Sequence, residues 1–293
     1  MARNNSKRLG VGTGGTDTPT PPIMDVNQEV ENNPSPLSFV VPTEYVDLPS
    51  KGQFYPENHP LYMVDTIEIR HMTAKDEDIL TSRTLLKKGV ALDKFLQNIV
   101  VDKKIDISRM FLGDKNALIV ASRISGYGSR YETKVACPAC LVNVEHTFNL
   151  NEANLVSTDD IDLDELGAKA TENGTFIIAL PAMKISVEAR LLNGIDEKEI
   201  TRLTEQNKKK KRIESLLTIQ LKRLIVSVNG DEARTSVDYV VDNMPASDAR
   251  YLRKTYQALT PTIDLTQDFE CSECGYEQEM EVPFTADFFW PDR

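Results

Sequence analysis

Residues 131–150 read YETKVACPACLVNVEHTFNL, and residues 263–282 read IDLTQDFECSECGYEQEMEV. In the first stretch Tyr131, Thr133 and Val135 alternate before Cys137, and Val142, Val144, His146, Phe148 and Leu150 alternate after Cys140. In the second, Ile263, Leu265 and Phe269 lead into Cys271, and Tyr276, Gln278, Met280 and Val282 alternate with glutamates after Cys274. A two-residue period marks a strand with one buried face, so each CxxC is expected at the turn of a β-hairpin. Two residues between cysteines let both thiolates reach one ion from a tight turn. Pro138 stiffens the first turn, and Gly275 permits the left-handed backbone that such turns need.

The chain has 293 residues and four cysteines, all in these two pairs. Cys137, Cys140, Cys271 and Cys274 therefore form a complete ligand set for one structural Zn2+. The 130 residues between the pairs exceed the spacing of compact zinc modules, so the ion would clamp two halves of the chain. Zinc held by four thiolates keeps no open position, and stabilises rather than catalyses. Metal-free reduced thiols are the plainer alternative. A redox CxxC would open a helix in the thioredoxin manner, and neither pair does.

The rest of the chain predicts an α+β fold of helical segments and short hairpins. Thr73 with Asp76 forms a capping pair for a helix carrying Ile79, Leu80 and Leu86, with Gly89 as its stop. Further helices are expected over 93–101, over 114–124 up to the Gly126–Gly128 turn, from Asp196, over 213–226, and after Pro245. The segment 38–56 reads as extended chain with a tight turn, and Ile67 with Ile69 as a short strand. Phe176–Ala179 and Met183–Ala189 read as strands, residues 157–165 as an acidic loop or short helix, and Asn229-Gly230 as a turn. Residues 1–36, rich in Gly, Thr, Pro and Asn, read as a flexible N-terminal arm without the apolar core of a secretory signal. Residues 37–150 form a helical region ending in the first CxxC hairpin, and 151–293 carry the acidic loop, hairpin, helices and second CxxC hairpin. The two regions make one zinc-tied unit.

Both regions run strand, helices, then CxxC hairpin. IEIRHMTAKDEDIL (67–80) echoes ISVEARLLNGIDEKEI (185–200) in an alternating strand followed by an acidic helix start. The expectation is of two diverged halves whose knuckles close on one metal. Chance likeness of common patterns is the competing reading.

A net charge of −11 argues against a nucleic-acid coat protein, and no apolar run approaches the ~18 residues of a membrane span. GxSxG, Walker and HExxH motifs are absent, and Gly126-Tyr127-Gly128 follows a helix, the wrong context for a dinucleotide loop. His59, His71 and His146 are scattered over different elements, and no carboxylate pair stands out. No enzyme is read here. The run Lys208–Arg212 is a solvated helix face or a contact for an acidic surface. Phe288-Phe289-Trp290-Pro291 either packs into the core or docks in a partner pocket.

Five segments in order carry a family resemblance: LPSKGQFYP (48–56), MTAKDEDIL (72–80), SRISGYGSRYE (122–132) leading to CPAC, LLNGIDEKEI (191–200), and CSECG with FTADFFWPD at the end. Together they resemble the baseplate hub proteins of T-even-like contractile-tailed bacteriophages. The resemblance implies a non-enzymatic tail-baseplate component or hub-assembly factor. It implies other phage baseplate and hub proteins as partners, made in the host cytoplasm and carried in the virion tail. The alternative drawn from the cysteine pairs and the lysine run is a zinc-ribbon nucleic-acid-binding or transcription accessory protein.

Overall fold

A computed structural model describes residues 41–210, 216–283 and 286–289. The N-terminal arm, the end of the lysine run and Trp290–Pro291 lie outside the described residues. Strand β1 (Thr43–Asp47) pairs antiparallel with β2 (Thr66–Arg70), setting Val46 opposite Ile67. Helices α1 (Ala74–Thr81), α2 (Arg83–Lys87) and α3 (Ala91–Ile99) follow. The chain then returns beside β2, where Val100 bridges Ile69. Helix α4 (Leu112–Tyr127) leads into the hairpin β3 (Arg130–Ala136) and β4 (Asn143–Asn149). Short strands β5 (Asn154–Val156) and β6 (Ala168–Ala170) flank the acidic segment.

The second half repeats this order. Strands β7 (Thr175–Leu180) and β8 (Ile185–Arg190) pair antiparallel, and α5 (Gly194–Lys209) and α6 (Leu216–Leu224) follow. Strand β9 (Ile225–Val228) returns beside β8, completing the sheet order β6-β7-β8-β9. Helices α7 (Arg234–Asp242) and α8 (Ala246–Leu259), strand β10 (Thr262–Asp264) and the hairpin β11 (Thr266–Glu270) and β12 (Glu277–Glu281) complete the order. Mixed helices and small antiparallel sheets make this an α+β chain.

Several local expectations need correction. The apolar stretch 213–226 is not helical throughout: Ile225 and Val226 are strand, because β8 offers these β-branched residues a pairing edge. The helix after Thr73 breaks at Ser82, whose extended backbone separates α1 from α2. Helix α4 runs through Gly126 and Tyr127 to Gly128, where φ is +82°. The extended segment 38–56 holds β1 as expected, whereas α7 and the β5–β10 pairing have no counterpart among the sequence expectations.

The echo between the halves extends to individual hydrogen bonds. Arg70, last residue of β2, makes a twin contact with Asp76 (2.6 and 2.9 Å), and Arg190, last of β8, makes the same contact with Asp196 (2.7 and 2.7 Å). Each aspartate is the third residue of its helix and accepts the backbone N–H of the preceding cap, Thr73 or Asn193. A further partner stands two residues before the returning segment: Asn98 Nδ2 donates to Asp76 at 2.6 Å, and in the second half Arg223 forms an ion pair with Asp196 at 3.1 Å. A second matched latch sits at the next helix. Buried Asp114, third in α4, accepts the Ser50 N–H at 3.0 Å, and buried Asp248, third in α8, accepts those of Ala182 and Met183 at 2.9 and 2.8 Å. Both anchored turns open with Leu-Pro, Leu48-Pro49 and Leu180-Pro181. A carboxylate in a helix's first turn favours the dipole while tying down a strand end. These shared partners favour two diverged halves over chance likeness of common patterns.

The terminal hairpin leaves the second half's core and joins the first. Leu265, Phe269, Val282, Phe288 and Phe289 pack with Phe95, Leu118, Tyr131 and Phe148. Phe288 meets Tyr131 edge-on at 5.1 Å, and Phe289 meets Phe95 at 5.4 Å. Fully buried Arg123 donates to the carbonyls of Phe288 and Gly128, both at 2.6 Å, and of Arg130 at 3.1 Å. Phe288 and Phe289 are therefore core residues. The second core gathers Phe176, Ile178, Val187, Leu224, Leu252 and Leu259 under the four-stranded sheet.

Candidate metal centre

Each CxxC occupies the turn of its hairpin, and the two turns have the same backbone bonds. The Cys137 N–H donates to Val142 O and the Leu141 N–H to Cys137 O, both at 2.9 Å. The Cys271 N–H donates to Tyr276 O and the Gly275 N–H to Cys271 O, also at 2.9 Å. The residue after the second cysteine must be left-handed, with φ +68° at Gly275 and +62° at Leu141. Glycine bears this freely and leucine does not. Leu141 is 79% exposed, so no packing offsets its strain. We predict that Gly275→Ala destabilises the fold by about 1 kcal/mol, since nothing stands within 4 Å of an added Cβ and φ alone is at issue. Leu141→Gly should raise stability by a smaller amount, because glycine also gains unfolded-state entropy. Thermal melts of both variants check the opposite signs.

The hairpins face each other and bring all four expected cysteines together. Their Sγ atoms lie within 4.8 Å of one another. The first cysteine of each pair contacts the second of the other: Cys137 meets Cys274 at 3.7 Å, and Cys140 meets Cys271 at 3.8 Å. This cross-pairing is the pattern expected of two related units meeting about a local two-fold. Gln267 stitches the hairpins at the end away from the cysteine turns, accepting the Asn149 N–H at 3.0 Å and donating to Asn149 O at 2.8 Å. Cys137 and Cys271 are buried, Cys140 is half-buried and Cys274 exposed.

The donor set fits a tetrahedral soft-metal site. Zn–S bonds of about 2.3 Å give sulfur–sulfur edges of about 3.8 Å, which the two cross pairs match. The electrostatics agree. Backbone N–H groups of Cys140 and Ala139 aim at Cys137 and pull its thiol down to about 7. At Cys274 the Tyr276 N–H also favours the thiolate, but burial and the three neighbouring sulfurs outweigh it and push the thiol up to about 12. Cys140, held among the same sulfurs, is raised as well, although the Val142 N–H opposes the rise. One thiol ionises readily and its neighbours then resist. A cation among them removes that conflict.

His146 is outside this cluster. Its ring lies edge-on to Phe148 at 4.6 Å and Phe269 at 5.1 Å, and burial lowers its pKa. His59 stacks on Tyr55 at 4.3 Å, and its Nδ1 accepts the Leu61 N–H. Lys208 and Lys209 close α5, where positive charge suits the helix C-terminus. In the acidic segment Ser157 caps a short turn through Asp160, and Asp159 pairs with Lys51. Among the described residues no helix is long and apolar enough to cross a membrane.

A family model described as T4 bacteriophage base plate protein matches residues 41–290. The chain belongs to this family. The match spans both halves and both cysteine hairpins of the baseplate protein. No curated protein and no solved structure gives a significant match to it. It is a phage baseplate structural protein, and family membership implies other baseplate proteins as its partners.

Proposed function

We propose that this baseplate protein serves the central hub as a non-enzymatic structural or assembly part, and that a structural zinc ion ties its two halves together. The family match supports the baseplate role. The single observation that carries the tie is the cross-pairing of thiols from hairpins far apart in sequence, at 3.7 and 3.8 Å. Cys137, Cys140, Cys271 and Cys274 would hold the ion, which supplies cross-linking strength without an open position for substrate. Two hairpins that each end a repeat unit are weak elements alone. Joined through the ion, they fix the second half against the core of the first. A part that bears load between neighbours gains rigidity from such a tie.

Quantitative mass spectrometry of purified phage particles tests the role. A fixed ratio to known tail proteins makes the chain a built-in hub subunit. Absence from particles, with presence in assembly intermediates of infected cells, makes it a hub-assembly factor. Absence from both overturns the reading.

A further inference from the structure

The repeat shows what one half has and the other lacks. Glu44 stands four residues before the Leu48-Pro49 turn, and Phe176 stands four before Leu180-Pro181. Two residues further on, Val46 and Ile178 both point into their cores. Phe176 is fully buried, covered by Phe54, whose ring meets it edge-on at 4.9 Å. Phe54 comes from the long connection between β1 and β2, residues 48–65. Gly174 lets that loop approach, since a Cβ there would lie 2.5 Å from the Phe54 carbonyl oxygen. The corresponding connection between β7 and β8 is only residues 181–184, too short to reach back in the same way.

Glu44 accordingly lines an open groove of about 320 Å³. Its floor is the Ala117, Val120, Ala121 and Ile124 face of α4, and Leu155 and Ile263 form the far wall. The lining is apolar apart from Glu44, Tyr45 and Asp47 on β1 and Asn151 just after β4. Yet Glu44 Oε1 is buried and has no hydrogen-bond partner among the described residues. A buried carboxylate oxygen without a donor is costly, and a cation or N–H that reaches it recovers that cost. The outer edge of β1, whose counterpart on β7 is paired with β6, carries no strand among the described residues.

We infer that this groove receives a loop of a neighbouring baseplate protein that presents an aromatic ring beside a lysine or arginine. The ring takes the place that Phe54 fills on the other half, and the cation meets Glu44. The partner's class rests on the baseplate reading above. The groove's chemistry does not.

The test places the photo-crosslinker p-benzoylphenylalanine at Leu155, on the groove wall, in the full chain during phage infection. The same group at Lys254, exposed on α8, is the control. Illumination should join Leu155 to another baseplate protein, at a peptide with Phe, Tyr or Trp within two residues of Lys or Arg. Glu44→Lys should cut the yield on the order of tenfold, as should Glu44→Gln, with melting temperatures near wild type. Adducts only within the chain, to nucleic acid, or to a peptide lacking that pairing overturn the proposal. So does a yield indifferent to both Glu44 variants. If the Leu155 variant enters baseplates without a groove adduct, the groove fails and the baseplate reading stands. If the wild-type chain enters neither particles nor intermediates, the baseplate reading fails.

Discussion

Replacing Cys140 with serine is expected to release the metal and lower the melting temperature on the order of 10 °C. Each sulfur contacts one from the other hairpin at 3.7 or 3.8 Å, so a single loss weakens the junction rather than one turn. Cys274→Ser should behave alike, although Cys274 is exposed and a core explanation is not open to it. A chelator separates metal loss from packing loss. It should lower the melting temperature of wild type towards that of the variants, and leave the variants where they are. Equal melting of wild type with and without chelator would remove the tie from the account.

The second large effect belongs to the matched arginine–aspartate latches. Asp76 is fully buried and holds Arg70, Asn98 and the Thr73 N–H together. Asp76→Ala leaves a guanidinium and an amide without their acceptor, and should cost about 3 kcal/mol. Asp196→Ala should cost less, because Arg190 and Arg223 are 32% and 37% exposed and water screens them. Chemical denaturation of the two variants checks the order. The same latch predicts an acid limb. Burial alone would raise the Asp76 carboxyl, but its bonds to Arg70, Thr73 and Asn98 outweigh burial and hold it down to about 2. Its pKa is thus lower folded than unfolded, so the unfolded chain binds the proton more readily. About 2 kcal/mol of stability is present above pH 4 and lost as pH falls towards 2. Asp76→Asn should flatten that part of the stability profile.

The local grammar of the chain was readable where neighbours in sequence are neighbours in space. The alternation around Cys137 and Cys271 marks both hairpins, and Thr73 with Asp76 marks a helix start that the structure contains. Distant pairings left no such trace. Ile225 and Val226 extend an apolar run that suits helix or strand, and only β8 decides between them. The pairing of β5 with β10 joins Leu155 to Ile263 across more than a hundred residues. At the site, residue type pointed to the four cysteines and to Gly275, but Leu141 takes the left-handed backbone against its own preference. The repeat was visible as an acidic helix start. Its clearest signal, an arginine six residues before the aspartate in both halves, acquires meaning only when both pairs are seen bonded. The Leu-Pro turns under Asp114 and Asp248 are the same kind of signal.

The tie between the halves is tested most directly by the zinc content of the native chain, purified without chelator and measured by inductively coupled plasma mass spectrometry. The account predicts one zinc ion per chain in the wild type, and loss of that ion in Cys140→Ser and in Cys274→Ser. A folded wild-type chain that carries no metal, with all four thiols open to a thiol reagent, would contradict it.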